Sequence, residues 1–141
     1  MLSVIINEST IDINNSGTIT GQIYFQIEDM YFPELHWSDF VVVILTWWNN
    51  SLKTLECATA GTTAEFNFMD GPFFVRCIKN HEKAALSFLR RKKVGEEVIS
   101  TLETDFRLLQ KSIARATKKV IELVDTKQWL TDDIEGLKRF I

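Results

Sequence analysis

The chain has 141 residues, of which 45% are hydrophobic and 25% are charged. This composition excludes a mainly disordered protein and predicts a single domain over residues 1–141. The longest largely apolar run, Phe40–Trp48, is far shorter than the roughly 20 residues of a membrane-spanning helix. Two cysteines are too few for a disulfide scaffold, and no basic stretch followed by an apolar block opens the chain. We therefore expect a cytoplasmic protein with reduced cysteines.

The net charge of −3 divides unevenly along the chain. Residues 1–70 contain one base, Lys53, and nine acids, whereas residues 71–141 contain fifteen bases and ten acids. One interpretation is that the two halves attract each other within the fold. The other is that the N-terminal half forms an acidic surface for a basic partner. Because the chain lacks a net basic footprint, we expect neither nucleic acid nor a membrane as its primary partner.

The first third of the chain has the pattern of strands. Apolar residues at positions 2, 4 and 6, and again at 19, 23, 25 and 27, alternate with other residues, and the segment 14–17 between them has turn chemistry. A period of two predicts a hairpin or meander in which one face is buried and the other is wet. Gln22 and Gln26 belong to the wet face.

The segment 38–55 predicts the first helix. Its apolar residues recur every three or four positions over four turns: Val41, Leu45, Trp48, Leu52 and Leu55. Ser38 and Asp39 are candidate N-cap residues. Trp47 and Trp48 point about 100° apart on a helix. We therefore expect one indole to pack on the sheet and the other to cover a second surface or to meet a partner.

Residues 56–102 return to strand patterns, and the last third of the chain is helical. Asp70–Gly71 separates two alternating aromatic runs, which favours a hairpin. Apolar residues at positions 106, 109, 113, 116, 120 and 123 predict a helix, and a short amphipathic stretch closes the chain. We expect an α+β fold in which two main helices, 38–55 and 105–127, pack on one antiparallel sheet of about five to seven strands.

No catalytic or cofactor motif is present in the sequence. His36 and His81 lack metal-ligand spacing, and Cys57 and Cys77 are too far apart for a CxxC site. Glycine-rich phosphate loops are absent as well. We therefore expect no enzyme, no metal and no cofactor. The alternative is an enzyme whose catalytic groups converge only in the fold, and its sign would be a deep pocket lined by His36 or His81 and carboxylates.

The segment 28–39, which links a predicted strand to the first helix, is the richest in chemistry-bearing residues. Its acidic, aromatic and imidazole side chains form the predicted partner-binding set: Glu28, Asp29, Tyr31, Glu34, His36, Trp37 and Asp39. Loops on a rigid scaffold often carry binding residues, and aromatic residues among charges are typical of interface hot spots. The alternative is that Phe32, Leu35 and Trp37 close the top of the core while the acids are merely solvated.

Two basic clusters lie in the second half of the chain. Arg90–Lys93 is a continuous run, and the predicted second helix carries the other cluster on one face: Arg107, Lys111, Arg115, Lys118 and Lys119. No aromatic residues interleave these bases, and several glutamates lie close by. We expect both clusters to be solvated and paired with the acidic half of the chain.

Two strings of the sequence resemble those of a known class of proteins: Tyr31–Pro33 with Trp37–Val42 and Trp47–Trp48, and Phe68–Phe73. They are similar to segments of small uncharacterised bacterial proteins of the immunity type, which are partners of polymorphic or contact-dependent toxins. The resemblance implies a cytosolic, non-catalytic protein that binds and blocks one cognate toxin domain without a cofactor. The residues also leave open a homodimeric structural or regulatory protein, in which the apolar start of the first helix and an exposed tryptophan meet a second copy.

Overall fold

A computed structural model describes the whole chain, from Met1 to Ile141. Its eight strands are β1 Leu2–Ile13, β2 Ile19–Ile27, β3 Met30–Phe32, β4 Ser38–Asp39, β5 Thr62–Asn67, β6 Phe73–Asn80, β7 Lys83–Arg91 and β8 Glu96–Asp105. Its three helices are α1 Val41–Glu56, α2 Phe106–Thr126 and α3 Asp132–Lys138. The α+β class expected from the sequence is confirmed.

The first sheet is built around β2. On one side β2 pairs antiparallel with β1, with a register shift between Asn7 and Asp12. On its other side it pairs with the short strands β3 and β4. The alternation predicted for β2 is confirmed, because Ile23 and Phe25 are buried in the core whereas Gln22 remains partly exposed on the opposite face.

The second sheet is a meander of four antiparallel strands in the order β5–β6–β7–β8. The turns at Asp70–Gly71 and at His81 lie where the sequence predicted them. β8 is one edge of this sheet, and a bulge opposite Phe88 and Leu89 interrupts its pairing with β7. The prediction of one sheet of five to seven strands is wrong, because eight strands form two separate sheets. α1 contacts both β2 and β5, so side-chain packing rather than a backbone ladder joins the sheets.

Both predicted main helices form, and their ends are shifted. α1 begins at Val41 rather than at residue 38, because Ser38 and Asp39 pair with β2 as β4. Neither residue is the N-cap of α1: Phe40 holds that position and makes no side-chain cap hydrogen bond. α2 spans residues 106–126 instead of 105–127, and the amphipathic stretch at the end of the chain forms the third helix. None of the three combines the length and the apolar character that a membrane crossing requires.

A core of 30 buried residues lies between the sheets and the helices. Trp48 of α1 is fully buried there, stacks on Phe25 with ring centroids 5.1 Å apart, and donates its indole N–H to the Asn67 carbonyl at 2.8 Å. Trp47 instead leaves 39% of its surface exposed, so the expected division between the two indoles is confirmed. The apolar start of α1, from Val41 to Leu45, is mostly buried within the chain itself, and Val43 is its one partly exposed residue.

Candidate functional site

The first sheet turns one face away from the core, and we call this face, with the His36 ring beside it, the open face. The cross-strand register places on it the side chains of Ser3, Ile5, Asn7, Gln22, Tyr24, Gln26, Tyr31 and Ser38. None of these residues belongs to the core cluster. Hydroxyl, amide and aromatic groups therefore dominate this surface.

Three aromatic or imidazole rings form the centre of the open face. The Tyr24 ring meets the Tyr31 ring edge to face with centroids 6.0 Å apart, and it meets the His36 ring in the same manner at 6.4 Å. These neighbours leave Tyr24 only 6% exposed although it lies outside the core. The three rings thus form one contiguous patch, with Tyr31 and His36 as its more accessible members.

The position of His36 depends on an uncommon backbone conformation. Its φ angle is +65°, in the left-handed region that residues other than glycine rarely adopt. The His36 Nδ1 atom lies 3.2 Å from Gln22 Oε1, which fixes the imidazole against β2. Backbone strain of this kind is concentrated at binding and catalytic positions. The left-handed backbone at His36 thus has a conformational cost, and the contact with Gln22 helps to hold the ring on the open face.

Three carboxylates border the open face. Glu28 and Asp29 form the exposed turn between β2 and β3, and Glu34 is exposed in the loop that follows β3. The Met1 amino group hydrogen bonds to Glu28, and this bond together with its positive charge holds the pKa of the Glu28 carboxyl below its usual range. No lysine or arginine side chain forms an ion pair with any of the three acids.

Trp37 and Asp39 have a structural role that differs from the predicted one. Asp39 is 2% exposed, and its carboxylate accepts hydrogen bonds from the Trp37 indole at 3.0 Å and from the backbone N–H groups of Phe40 and Asp70 at 2.7 and 3.2 Å. A carboxylate enclosed in this way cannot contact a partner, so Asp39 is corrected from a contact residue to a positioning residue.

Trp37 is half-buried against the core, where its ring meets Phe73 edge to face at 5.4 Å. The turn at Gly71 lies close to this ring, because a Cβ atom at that position would be 3.0 Å from the indole. Phe32 is buried as the alternative interpretation expected, whereas Leu35 is exposed and does not close the core. The predicted set thus divides into five surface residues (Glu28, Asp29, Tyr31, Glu34 and His36) and the pair Trp37–Asp39 that anchors their loop.

The central residue of the open face, Tyr24, was not among the predicted site residues. The sequence does contain a signal that Tyr24 lies on this face, because position 24 falls between Gln22 and Gln26 on the wet face of β2. A large aromatic residue on a face otherwise occupied by amides and hydroxyls is such a signal. The ring partners of Tyr24 come from β3 and the following loop, and local alternation carries no information about them.

The basic clusters find few internal partners. Lys119 lies 3.8 Å from Glu8, and Arg91 lies 3.3 Å from Glu65. The four remaining bases of the α2 face make no ion pair: Arg107, Lys111, Arg115 and Lys118. The expected pairing of the two halves is therefore limited to a few contacts, and most of the acidic N-terminal surface is not neutralised from within.

Apart from the open face, a cleft lies where the β6–β7 turn meets the start of α2. This cleft of about 460 Å³ is lined by His81, by the carboxylates Glu56, Glu82 and Asp105, and by the cations Lys79 and Arg107. Lys83 binds Asp105 at 2.7 Å, and no hydrogen bond joins His81 to a carboxylate. Nowhere do three or more His, Cys, Asp or Glu side chains have the arrangement of a metal site. Cys77 lies in the core, where burial raises the pKa of its thiol to about 11.

Comparisons with known proteins complete the description of the site. A scan against protein-family models, a search of curated proteins and a search of solved structures each found no match to this chain.

Proposed function

We propose that the chain is a non-catalytic binding protein of the immunity type, which recognises a basic toxin domain through the open face and its acidic border. The observation that carries this proposal is the patch of Tyr24, Tyr31 and His36, bordered by the unpaired carboxylates Asp29 and Glu34 and by Glu28, whose one cationic partner is the Met1 amino group. Aromatic anchors surrounded by charges are typical of protein interfaces.

The charge distribution supports a basic partner. No lysine or arginine occurs before Lys53, so the first sheet has no basic side chain of its own. An acidic surface without lysine or arginine side chains accelerates the encounter with a basic protein and disfavours an acidic one. The border acids therefore act mainly on the rate of association, and the ring patch acts mainly on the lifetime of the complex.

The direct test uses the protein encoded immediately upstream of this gene, because a toxin gene at that position is what the immunity interpretation requires. We expect the two purified proteins to bind each other and the chain to restore growth to cells that express the upstream product. Tyr31→Ala is expected to weaken binding by about 2 kcal/mol or more, measured by titration calorimetry.

Val94→Ala is the matched control, because it truncates an exposed apolar residue in the turn between β7 and β8 of the second sheet; it is expected to bind like the wild type. Unchanged affinity in a Tyr31→Ala/His36→Ala double variant that retains its fold would contradict the proposed surface.

One observation favours a second candidate function, an enzyme with scattered catalytic groups. The cleft at His81 brings a histidine and carboxylates together, as that interpretation requires, although the cleft is open to solvent. The two proposals separate cleanly. His81→Ala is expected to leave toxin neutralisation intact, whereas loss of neutralisation in His81→Ala with the open face unaltered would favour the cleft.

A further inference from the structure

Trp47 lies in a groove between α1 and α3 that shares no residue with the open face. The groove has a volume of about 180 Å³ and is lined by Val43, Thr46 and Trp47 of α1 and by Asp132, Asp133 and Gly136 of α3. No basic side chain lines it. An indole and two carboxylates are thus the only groups in the groove with a strong preference for a ligand.

The indole of Trp47 is not needed for the core. Its neighbour Trp48 fills the interior, whereas Trp47 leaves 39% of its surface exposed. The face of an indole ring attracts cations more strongly than that of any other side chain, and arginine is the side chain that most often stacks on it.

The carboxylates beside Trp47 have no cationic partner. Neither Asp132 nor Asp133 forms an ion pair with a lysine or arginine of the chain, although Lys138 of the same helix pairs with Asp125 at 2.8 Å. Both acids lie in the first turn of α3, where they complement the helix dipole. The helix dipole explains why acidic residues occur at these two positions. It does not explain why the indole of Trp47, which lines the same groove, is exposed.

Gly136 shapes the α3 wall of the groove. Glycine is unfavourable inside a helix, and α3 has only seven residues. A positive φ does not explain Gly136, and a Cβ atom there would meet nothing within 4 Å. Neither backbone geometry nor packing therefore requires glycine at this position. Its effect is to leave the wall of the groove bare beside Trp47.

We propose that this groove binds an arginine side chain of a protein partner. The planar guanidinium would stack on Trp47 and donate its N–H groups to Asp132 and Asp133, a geometry that the compact lysine ammonium does not match. The inference rests on the proposed function in one respect, because it gives the same basic partner a second contact site. Binding of arginine itself is a property of the isolated chain and is tested without the partner.

The experiment is an NMR titration of the ¹⁵N-labelled chain with Nα-acetyl-arginine amide, observed at the four indole N–H signals. The Trp47→Phe variant assigns the signal of Trp47. We expect a saturable shift of that signal with the arginine probe and none with Nα-acetyl-citrulline amide, which has the same shape without the charge. Asp132→Asn/Asp133→Asn is expected to weaken the apparent affinity by about fivefold or more. Gly136→Leu is expected to abolish the shift by filling the groove.

The matched control is Glu103→Gln/Glu122→Gln, which removes the same charge from exposed acids of β8 and α2 that form no ion pair, and it is expected to leave arginine binding unchanged. The signal of the buried Trp48 reports whether each variant keeps its fold, and the asparagine pair carries the test if Gly136→Leu does not fold. An equal shift with citrulline, no saturable shift, or equal weakening by the control would overturn the groove site. Partner binding through the open face would then still stand, so the two proposals fail separately.

Discussion

The two sheets each turn one face away from the core, and these faces differ in how their charges are satisfied. On the second sheet, Arg76 binds Glu65 and Glu96 at 2.8 Å each, and the Arg91 guanidinium lies 3.9 Å from the centre of the Phe74 ring. The first sheet has acids at its border and no basic side chain of its own. The second sheet therefore neutralises its outer face internally, whereas the first leaves its charge available to another molecule.

The burial of Phe74 depends on the two arginines that cover the outer face of the second sheet. The ring is fully buried although it lies outside the core cluster, because Arg76 and Arg91 cover it. Phe74→Ala is expected to lower the free energy of unfolding by about 3 kcal/mol, as for other buried aromatic residues, measured by urea denaturation. Partner binding is expected to be unaffected in the folded variant. A loss below about 1 kcal/mol would mean that the two arginines do not hold this face closed.

On the first sheet, Asp39 anchors the loop that follows β3. Asp39→Ala would leave the Trp37 indole and the N–H groups of Phe40 and Asp70 without their acceptor. We expect a loss of stability of about 2 kcal/mol and weaker partner binding, because the loop carries His36. Trp37→Phe, which removes one donor and keeps the ring packing, is the milder control. Unchanged stability in Asp39→Ala would contradict the positioning role.

We expect the border acids to affect the rate of association with the partner more than the lifetime of the complex. Glu28→Lys/Asp29→Lys should slow association with a basic partner by roughly tenfold at low salt, with little change in dissociation. Surface plasmon resonance at two salt concentrations separates these rates. The same reversal at Glu97 and Glu103, exposed acids of β8 that do not bind Arg76, is the control and is expected to leave association nearly unchanged. Equal slowing by both pairs would remove the distinction between the two faces.

The smallest expected effect is a pH dependence of the stability that the Arg76–Glu96 pair of the second sheet contributes. The hydrogen bond from Arg76, together with its charge, lowers the pKa of Glu96 from its ordinary value of 4.5. Because the folded-state pKa lies below the unfolded one, the unfolded chain binds more protons as the pH falls below about 4.5. The stability that this pair contributes is present above that pH and is lost below it. Thermal unfolding between pH 3 and 6 is expected to show a smaller pH dependence for Arg76→Gln than for the wild type, and equal slopes would contradict the assignment.

Local patterns in the sequence predicted the elements that depend on neighbouring residues. The alternation in β2, the turn at Asp70–Gly71 and the apolar stripe of α2 each have a local physical cause, and all three are found in the structure. The division into two sheets depends on where α1 packs, and a strand of two residues such as β4 has no period to detect. Asp39 illustrates the limit, because its three hydrogen-bond donors include one that lies thirty-one residues away along the chain.

The sequence predicted the candidate site as one segment, whereas the three rings of the open face come from two strands and a loop. Tyr31 and His36 were named from their place in the loop, whereas Tyr24 joins them only because β3 folds back along β2. Residues 28–39 therefore supply Tyr31 and His36 of the open face, and β2 supplies Tyr24 and Gln22. Contacts of this kind are set by the pairing of strands, which a single sequence does not display.

The edge strand β8 has a consequence for solubility. Ten residues of unpaired edge, with Val98 and Ile99 exposed, would offer a template on which further chains could add as strands. Two features oppose this growth: the bulge opposite Phe88 and Leu89 disturbs the spacing of the free backbone groups, and acidic residues at both ends of the strand repel an incoming copy. Once acid protonates these carboxylates, their local repulsion is lost, and the bulge and the positive charge that the chain then gains remain as the obstacles to strand addition along β8.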